Sequence, residues 1–477
     1  MEATPIPFRK LVAKTVNDEA LHRALRRATD IIGANRIKML ATLPDAEEAR
    51  DRARMIRRHT IANLDRYLEQ FVAGVERSGG VVHWAADGAE ANRIVARLAK
   101  ERGVQLIVKG KSMISEETNF NDAMLAEGIT PQETDLAEYV VQLGNGHPSH
   151  IVVPIVDMTR QDVSHLFHEK LGTEETDDVQ ELARIARERL RQKYIEAGMG
   201  LTGVNFGVAE TGTMAIVTNE GNGRLSSSLP RYHVALMGIE RLVPTMEDLG
   251  LMLQLPARSA TGQKLSVYSS MMTGPRRPGD ADGPEELHVI LVDNGRTRIL
   301  GSEYAEMLTC IRCGACLNAC PVYQAIGGHA YDAVYPGPMG SVLSPLFSGL
   351  DRYADLPHAS SLCGACKEVC PVRIDLPGLL LHLRRDTVNA GHRPWWLKMG
   401  ISGYAMVAGS PTLFGMAKGM GALASGLIAR DGWITGMPGP LSEWTGSRDF
   451  PKLASKSFQA RWKERQARKA ASQGGGL

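Results

Sequence analysis

The distribution of cysteines constrains this chain more than any other feature of its sequence. All seven cysteines of the 477 residues lie between positions 310 and 370. An odd number of cysteines argues against a disulfide framework, and cysteines that merely fill a core would not cluster in this way. The confinement therefore indicates one local task for the whole set.

The cysteines form two copies of one spacing. Residues 310–321 read C-x2-C-x2-C-x3-C-P without a gap, and residues 360–371 repeat the pattern with Ser360 in the first position. In this spacing the short steps wrap the chain around a cubane, and the cysteine before proline ligates the other cluster. The pattern predicts two [4Fe-4S] clusters, one held by Cys310, Cys313, Cys316 and Cys370, and the other by Cys320, Cys363 and Cys366.

The second predicted cluster lacks one protein thiolate. Ser360 could supply a weak oxygen ligand, water or a substrate group could occupy the open iron, or the site could hold a three-iron cluster. An open or non-cysteine-ligated [4Fe-4S] site is our first choice. Structural zinc is the alternative for both copies, but the repeated three-thiolate run with a cysteine before proline favours iron–sulfur.

The residues before the cysteines predict a layered α/β domain. Apolar residues at three- and four-residue spacing over 18–79 indicate helices, whose many arginines we expect on a solvated face. Residues 80–108 read as strand, helix and strand, which implies a parallel sheet. Further strands are predicted at 151–156, 214–218, 233–239 and 288–293, and further helices at 177–197 and 245–255.

These patterns divide the chain into four parts. We expect an N-terminal helical segment over 1–79, an α/β domain over 80–301, a mainly helical two-cluster region over 302–390 and a helical docking tail over 391–477. The apolar stretch at 397–428 is interrupted by Lys398, Pro411 and Lys418, so it falls short of the roughly 20 apolar residues of a membrane span. A buried or docking segment is expected there. The basic stretch at 452–469 predicts a helix that is solvated or docked on a partner.

Charge and the N-terminus restrict partners and location. Lysine and arginine total 55 against 53 acidic residues, a net charge of +2, so no nucleic-acid partner is expected. The first residues contain no apolar core of a secretory signal. A cytoplasmic location is expected, with contact to the inner face of the membrane as the alternative.

A ligand pocket is predicted at the ends of the strands. Lys109 and Lys111 follow a strand but lack the earlier glycine of a nucleotide-binding loop, so we expect at most an anionic ligand there. The loop after 214–218 offers Asn219, Glu220 and Asn222, which could cradle a carboxylate or phosphate or form a plain turn. Glu210 and Thr211 lie just upstream. The turn at 293–296 is a pocket wall or a cap, and the histidines at 147 and 150 are expected in a loop.

Several of these segments resemble one known family. The chain reads KGKSM at 109–113, ETDL at 133–136, PSHI at 148–151, NF at 205–206, ETGT at 210–213, TNEGNG at 218–223, SATG at 259–262 and DNGR at 293–296. These motifs resemble the LUD domain, and with the cysteine pattern and the tail the whole chain resembles the lactate utilisation protein B family.

The resemblance carries expectations about fold and function. It implies a Rossmann-like domain similar to CoA-transferases and ribose-5-phosphate isomerase, and two [4Fe-4S] clusters whose three-cysteine second motif is usual. It also implies a cysteine-rich iron–sulfur subunit and a small LUD-domain subunit as partners, which together oxidise L-lactate to pyruvate and permit growth on lactate. Electron transfer to an unnamed acceptor is the implied role, and no catalytic residue is indicated. Another 2-hydroxy acid such as glycolate, or a non-catalytic binding or assembly role, remains open.

Overall fold

The computed structural model describes residues 7–392, 395–439, 442–446 and 448–473. The chain divides into two compact units, Met1–Ala390 and Gly391–Leu477. The strands of the first unit are β1 (Val81–Ala85), β2 (Leu106–Lys109), β3 (Thr130–Glu133), β4 (Met199–Gly203), β5 (Phe206–Val208), β6 (Thr213–Thr218), β7 (Tyr232–Gly238), β8 (Leu242–Val243), β9 (Tyr268–Met272) and β10 (Glu286–Val292).

Helices surround these strands and make up most of the cysteine region, as the sequence predicts. Up to residue 300 they are α1 (Phe8–Thr15), α2 (Glu19–Leu40), α3 (Ala46–Ala62), α4 (Leu64–Arg77), α5 (Gly88–Glu101), α6 (Met113–Glu117), α7 (Phe120–Ala126), α8 (Leu136–Leu143), α9 (Arg160–Leu171), α10 (Val179–Glu196), α11 (Asn222–Ser228), α12 (Met246–Ala260) and α13 (Arg296–Leu300). After residue 300 they are α14 (Ala315–Asn318), α15 (Pro321–Ile326), α16 (Gly337–Ser348), α17 (Leu350–Tyr353), α18 (Ala365–Val369) and α19 (Leu376–Asn389). Short 3-10 turns lie at Ile239–Arg241, Ala305–Thr309, His329–Tyr331 and Leu356–His358.

The main sheet has six parallel strands in the order β1-β10-β7-β4-β2-β3. Side chains alternate between its two faces. In β7, Val234 and Leu236 pack against α5, whereas Ala235 and Met237 pack against α4. Because both faces are covered by helices, the central strands β7 and β10 are buried and mostly apolar. The predicted α/β domain with a parallel sheet is confirmed.

The strand order reverses between β2 and β4. Strands β7 and β10 continue the sheet on one side of β4, while β3 lies beyond β2 on the other. The carboxyl ends of the strands on either side of such a reversal open a crevice, which is where open α/β sheets bind ligands.

A second, four-stranded sheet has the order β8-β5-β6-β9. Strand β5 pairs in parallel with β8, and the pairs β5–β6 and β6–β9 are antiparallel. Its residues Phe206, Val208 and Ala215 share one core with α2, α3, α12 and the cysteine region. The predicted strand at 214–218 therefore exists, but it belongs to this second sheet.

The strand predicted at 151–156 is wrong. These residues form bends and turns, because local side-chain bonds replace strand pairing. His150 Nδ1 accepts hydrogen bonds from the backbone N–H groups of Val152 and Val153, both at 3.0 Å. The N–H of Ser149 donates to the carbonyl of Pro154 at 2.9 Å and closes the loop. The predicted loop position of His150 is confirmed.

The second unit contains α20 (Trp395–Ala408), α21 (Pro411–Ile428), α22 (Ser442–Thr445), α23 (Phe458–Gln473) and the short pair β11 (Trp433–Ile434) and β12 (Phe450–Pro451). Many apolar side chains of α20 and α21 are exposed, with Leu427 at 82%. They are not buried, so docking is the remaining prediction for this stretch. Judged by length and hydropathy, none of the helices in the described part of the chain could cross a membrane.

Candidate iron–sulfur centre and adjoining cavity

The two cysteine loops share one backbone conformation. Arg312 and Leu362, which precede the second cysteine position of each copy, have positive φ values of 57° and 54°. Gly314 and Gly364, which follow it, have φ values of 78° and 87°. Positive φ is uncommon outside glycine, so its recurrence at matching positions indicates that both loops wrap around similar objects.

Backbone N–H groups are directed at the cysteine sulfurs, a feature that stabilises thiolate charge and influences cluster potentials. Examples are the bonds from Arg312 N to Cys310 Sγ at 3.4 Å, from Tyr323 N to Cys320 Sγ at 3.5 Å and from Ile374 N to Cys370 Sγ at 3.4 Å.

Ser360 reproduces the local geometry of the cysteine that it replaces. The N–H of Leu362 donates to Ser360 Oγ at 3.1 Å, just as the N–H of Arg312 donates to Cys310 Sγ. The serine hydroxyl therefore has the same relation to its loop that the Cys310 thiol has to the first loop.

The structure brings the cysteines together in two groups. One small cavity is lined by Cys310, Cys313, Cys316 and Cys370. In the other group, burial together with the nearby charges of Cys320 and Cys363 raises the pKa of Cys366 to about 12. Burial also raises the pKa of Cys316, and charges from both groups, Cys310 and Cys366 among them, add to that shift.

The chemistry of the first group suits a metal–sulfur cluster. Burial, with neighbouring thiols contributing, raises the pKa of Cys313 to about 12 and that of Cys370 to about 11. All seven cysteines are free of disulfides. Buried thiols that line one small cavity cannot all ionise together without a compensating cation, which cluster iron supplies. The donor set therefore fits an iron–sulfur cluster.

No site for a single metal ion accompanies these groups. Among the described residues, no three histidine, cysteine or carboxylate side chains are arranged to hold a metal ion. The thiolates of a cubane are bound to different irons rather than to one ion, so this finding concerns mononuclear sites.

Helices α2 and α3 hold the cysteine region through arginines that the sequence pattern assigned to solvent. On α2, Arg36 Nη2 donates to the carbonyl of Val369 at 3.3 Å. Arg57 is 1% exposed, and its guanidinium donates to the carbonyls of Glu240, Leu242, Leu308 and Thr309. Arg50 Nη2 donates to the carbonyl of Cys370 at 2.9 Å and to that of Glu368. The prediction of a fully solvated face is therefore wrong at these positions, because tertiary partners cover them.

Replacing Arg50 with methionine tests this support. We expect a loss of about 1–3 kcal/mol in the free energy of unfolding, because the buried Cys370 carbonyl loses a charged donor. Anaerobic urea unfolding of the iron-loaded protein measures the loss. Arg52→Met is the matched control, since Arg52 is half exposed and forms only a 3.8 Å ion pair with Glu247. Equal stability of the two variants would contradict the role of Arg50.

A larger cavity of about 360 Å³ lies at the crevice between β2 and β4. Its lining includes residues that follow β2 and β4, such as Ser112 and Asn205, and Gly238 at the end of β7. Ile311, Arg312 and Cys313 line this cavity and also the small cavity among the first four cysteines. The first cysteine loop is thus the wall between the two spaces.

Three of the predicted pocket residues, Lys111, Asn219 and Glu220, line this larger cavity. Lys111 Nζ donates to the carbonyl of Val152 at 2.8 Å. Asn219 and Glu220 are exposed at the outer end. The loop after β6 therefore contributes to a pocket as well as forming a turn.

The structure does not bring the other four predicted residues to the cavity. Lys109 is fully buried, and its Nζ pairs with Glu133 at 2.7 Å and Glu116 at 2.8 Å. Asn222 is buried at the start of α11, where its Oδ1 accepts from the N–H of Gly223. Glu210 Oε2 accepts from the N–H of Met246 at 3.2 Å, and Thr211 donates to Thr213 Oγ1 at 2.7 Å. These four side chains have structural partners instead.

Sequence reasoning missed the charged inner end of the cavity. Glu240 is fully buried and faces Arg296 at 2.6 Å, Arg312 at 3.6 Å and Arg241 at 3.8 Å. Burial alone would raise the pKa of Glu240, but the arginines outweigh it and lower the pKa to about 2. Arg296, which the sequence placed in a wall or a cap, lines the cavity. The sequence signal for this charged end was Arg312, which lies between Cys310 and Cys313.

The same inner end contains Glu117 and Tyr335. Glu117 forms a 2.9 Å ion pair with Arg296 and accepts a hydrogen bond from the hydroxyl of Tyr335. Both residues line the cavity. They come from α6 and from the segment before α16, which are far apart in the sequence.

Comparisons with known proteins agree with this architecture. The LUD domain matches residues 68–292, the 4Fe-4S dicluster domain residues 306–374, and the C-terminal domain of lactate utilisation protein B residues 389–467. A solved structure of a duf162 family protein from Deinococcus radiodurans is 15% identical and covers 48% of this chain and 98% of its own, with a TM-score of 0.27, too low to carry an argument.

Full-length relatives are more informative. Lactate utilization protein B of Macrococcus caseolyticus is 44% identical over 456 residues, 95% of this chain and 96% of its own. The protein of the same name from Geobacillus thermodenitrificans is 44% identical over 462 residues, covering 96% and 97%. The uncharacterized electron transport protein YkgF of Escherichia coli is 41% identical over 460 residues, covering 96% and 97%. With this identity along nearly the whole of each chain, the protein belongs to the lactate utilization protein B family.

Proposed function

We propose that this chain is the iron–sulfur electron-transfer subunit of a bacterial system that oxidises L-lactate to pyruvate and permits growth on lactate. The observation that carries the proposal is the pair of matching cysteine loops in a chain whose full-length relatives are named for lactate utilization. Oxidation of a hydroxyl to a ketone releases two electrons, and each iron–sulfur cluster accepts one electron at a time.

The ligand assignment follows the two groups of cysteines. In this proposal one [4Fe-4S] cluster is held by Cys310, Cys313, Cys316 and Cys370, and the other by Cys320, Cys363 and Cys366. The iron next to Ser360 has no cysteine ligand. Buried N–H donors hold the sulfurs in place, and the arginines of α2 and α3 fix the loops from outside.

Ser360→Cys tests the assignment of the open position. We expect this variant to retain the second cluster at least as well as the unchanged protein, because the new sulfur can take the hydrogen bond that Leu362 N donates to Ser360 Oγ. Its EPR spectrum should change for the second cluster alone. Ser361→Cys is the matched control, and identical spectra from both variants would contradict the equivalence of Ser360 and Cys310.

The finer description of the fold is also a proposal. The six-stranded sheet with its reversal between β2 and β4 supports a Rossmann-like domain related to CoA-transferases and ribose-5-phosphate isomerase. We propose the division into 1–79, 80–301, 302–390 and 391–477 for the helical, LUD, dicluster and docking parts.

We further propose two partner subunits, a cysteine-rich iron–sulfur protein and a small LUD-domain protein. Exposed apolar side chains on α20 and α21, such as Trp395 and Met406, support a docking role for the tail. A cytoplasmic location, with docking at the inner face of the membrane as the alternative, accords with seven cysteines free of disulfides.

The test is turnover by the reconstituted subunits. We expect pyruvate from L-lactate with an artificial acceptor, and loss of turnover when this chain is left out. Faster turnover of glycolate than of L-lactate would identify glycolate as the substrate instead. Unchanged turnover without this chain would contradict the electron-transfer role and favour a binding or assembly function.

A further inference from the structure

Arg312 carries a buried positive charge in the wall of the larger cavity. Its side chain is 4% exposed, and none of its three guanidinium nitrogens makes a hydrogen bond to any described residue. Glu240 Oε1, its ion-pair partner, lies 3.6 Å away, beyond good hydrogen-bond distance. Leaving charged donors unsatisfied is costly. The planar guanidinium is well suited to a carboxylate, which it binds through two parallel bonds.

The guanidinium lies on the side of the larger cavity. It stacks over the ring of Tyr335, with its central carbon 4.9 Å from the ring centroid. Tyr335 and Arg241 line the larger cavity, and neither lines the small cavity among the cysteines. The unsatisfied donors therefore belong to the cavity at the sheet crevice, where α/β sheets bind ligands.

The charged residues around the larger cavity favour one class of anionic ligand. The inner end combines three arginines with two glutamates, an excess of one positive charge: Arg241, Arg296 and Arg312 against Glu117 and Glu240. The outer end combines Lys111 with Asp135 and with Glu220, whose pKa is raised to about 7 by burial and by Asp135, so this end adds no excess of positive charge. The single excess positive charge at the inner end matches a monoanion, and the outer end offers no further cation for the second charge of a dianion such as phosphate.

We propose that this cavity binds a small monocarboxylate of the 2-hydroxy or 2-oxo acid class, with its carboxylate on Arg312 and Arg241. The cavity volume of about 360 Å³ is within the range of small-molecule sites. The choice of acid class rests on the proposed function, while the binding of a monocarboxylate rests on the geometry. Because Cys313 lines the same cavity, the bound acid lies beside the first cysteine group.

Anaerobic equilibrium dialysis of the full-length, iron-loaded protein with labelled pyruvate tests the proposal. We expect saturable binding of one pyruvate per chain, weakened at least about tenfold in Arg312→Gln with unchanged iron content. Arg36→Gln is the matched control, because Arg36 also lies close to Cys313 but does not line the cavity. Its pyruvate affinity should be unchanged.

A second variant guards against loss of iron in Arg312→Gln. Val217→Trp fills the cavity from β6 and leaves every arginine in place, so it should abolish binding while the iron content stays constant. Absence of saturable binding in the unchanged protein would overturn the proposal. Displacement of pyruvate by equimolar phosphate would overturn the monocarboxylate assignment. A changed cluster potential in Arg312→Gln with unchanged pyruvate affinity would assign Arg312 to the cluster instead.

The outcomes also separate this proposal from the proposed function. Binding of pyruvate by a protein whose reconstituted complex does not oxidise lactate would leave the cavity assignment standing and remove the electron-transfer role. Lactate oxidation without pyruvate binding to this chain would do the reverse, and would place the substrate on another subunit.

Discussion

Cys316→Ala is expected to lose one of two clusters, so that the iron content falls from about eight to about four atoms per chain. Cys316 is buried on α14 beside Cys310, Cys313 and Cys370, and no other described cysteine is free to replace it, because the remaining three form the second group. In the second group Ser360 Oγ lies at the fourth position, but alanine at 316 would offer the first cluster neither a sulfur nor an oxygen ligand. Iron and sulfide analysis with EPR after dithionite reduction measures the effect.

Cys363→Ala is the matched comparison for this prediction. Cys363 belongs to the second group and is exposed. Cys363→Ala should therefore lose the EPR signal of the second cluster, whereas Cys316→Ala should lose that of the first. Loss of the same signal from both variants would contradict the division into two groups. Full iron content in Cys316→Ala would contradict its assignment as a ligand.

Glu240→Gln is expected to lower the free energy of unfolding by about 3–5 kcal/mol, the cost of removing one partner from a buried ion pair. Glu240 is the buried carboxylate shared by Arg241, Arg296 and Arg312, and its removal leaves these cations with Glu117 alone. Anaerobic urea unfolding measures the change. Glu188→Gln, which removes an exposed ion pair with Arg184, should cost less than about 1 kcal/mol.

The pH dependence of this deficit follows from the pKa of Glu240. The fold lowers that pKa from 4.5 to about 2, so the stabilisation is fully present above pH 4.5 and is lost as the pH falls through about 2. The deficit of Glu240→Gln should therefore be the same at pH 6 and pH 8. A deficit that changes between these values would show that another group carries the effect.

The cysteine pattern can be read from the sequence because its information is local: short steps between cysteines suggest which sulfurs share a cluster. The apolar residues at 81–82 and 289–292 likewise predict strands, and they lie in β1 and β10. The strand prediction for 151–156 was wrong because the backbone N–H groups of Val152 and Val153 donate to a histidine side chain, which apolar patterning does not detect. Here a side-chain partner overrides the β propensity of valine.

The cavity could be predicted only in part because its partners are distant in sequence. Lys111 and Glu220 follow strand ends, which is a readable signal, but Lys109 carries the same signal and is buried against Glu116 and Glu133. Glu240 and Arg312 are separated by 72 positions and meet only in the folded chain. Buried ion pairs of this kind leave no periodic pattern, so the charges at the inner end were visible only in the structure.

Reduction of the clusters by L-lactate tests the central claim most directly. The chain is purified anaerobically with its co-purifying partners, L-lactate is added, and low-temperature EPR is recorded while pyruvate is assayed. We predict that the cluster signals rise together with pyruvate. Signals that form only with dithionite, with no pyruvate from a complex of full iron content, would contradict an electron-transfer role in lactate oxidation.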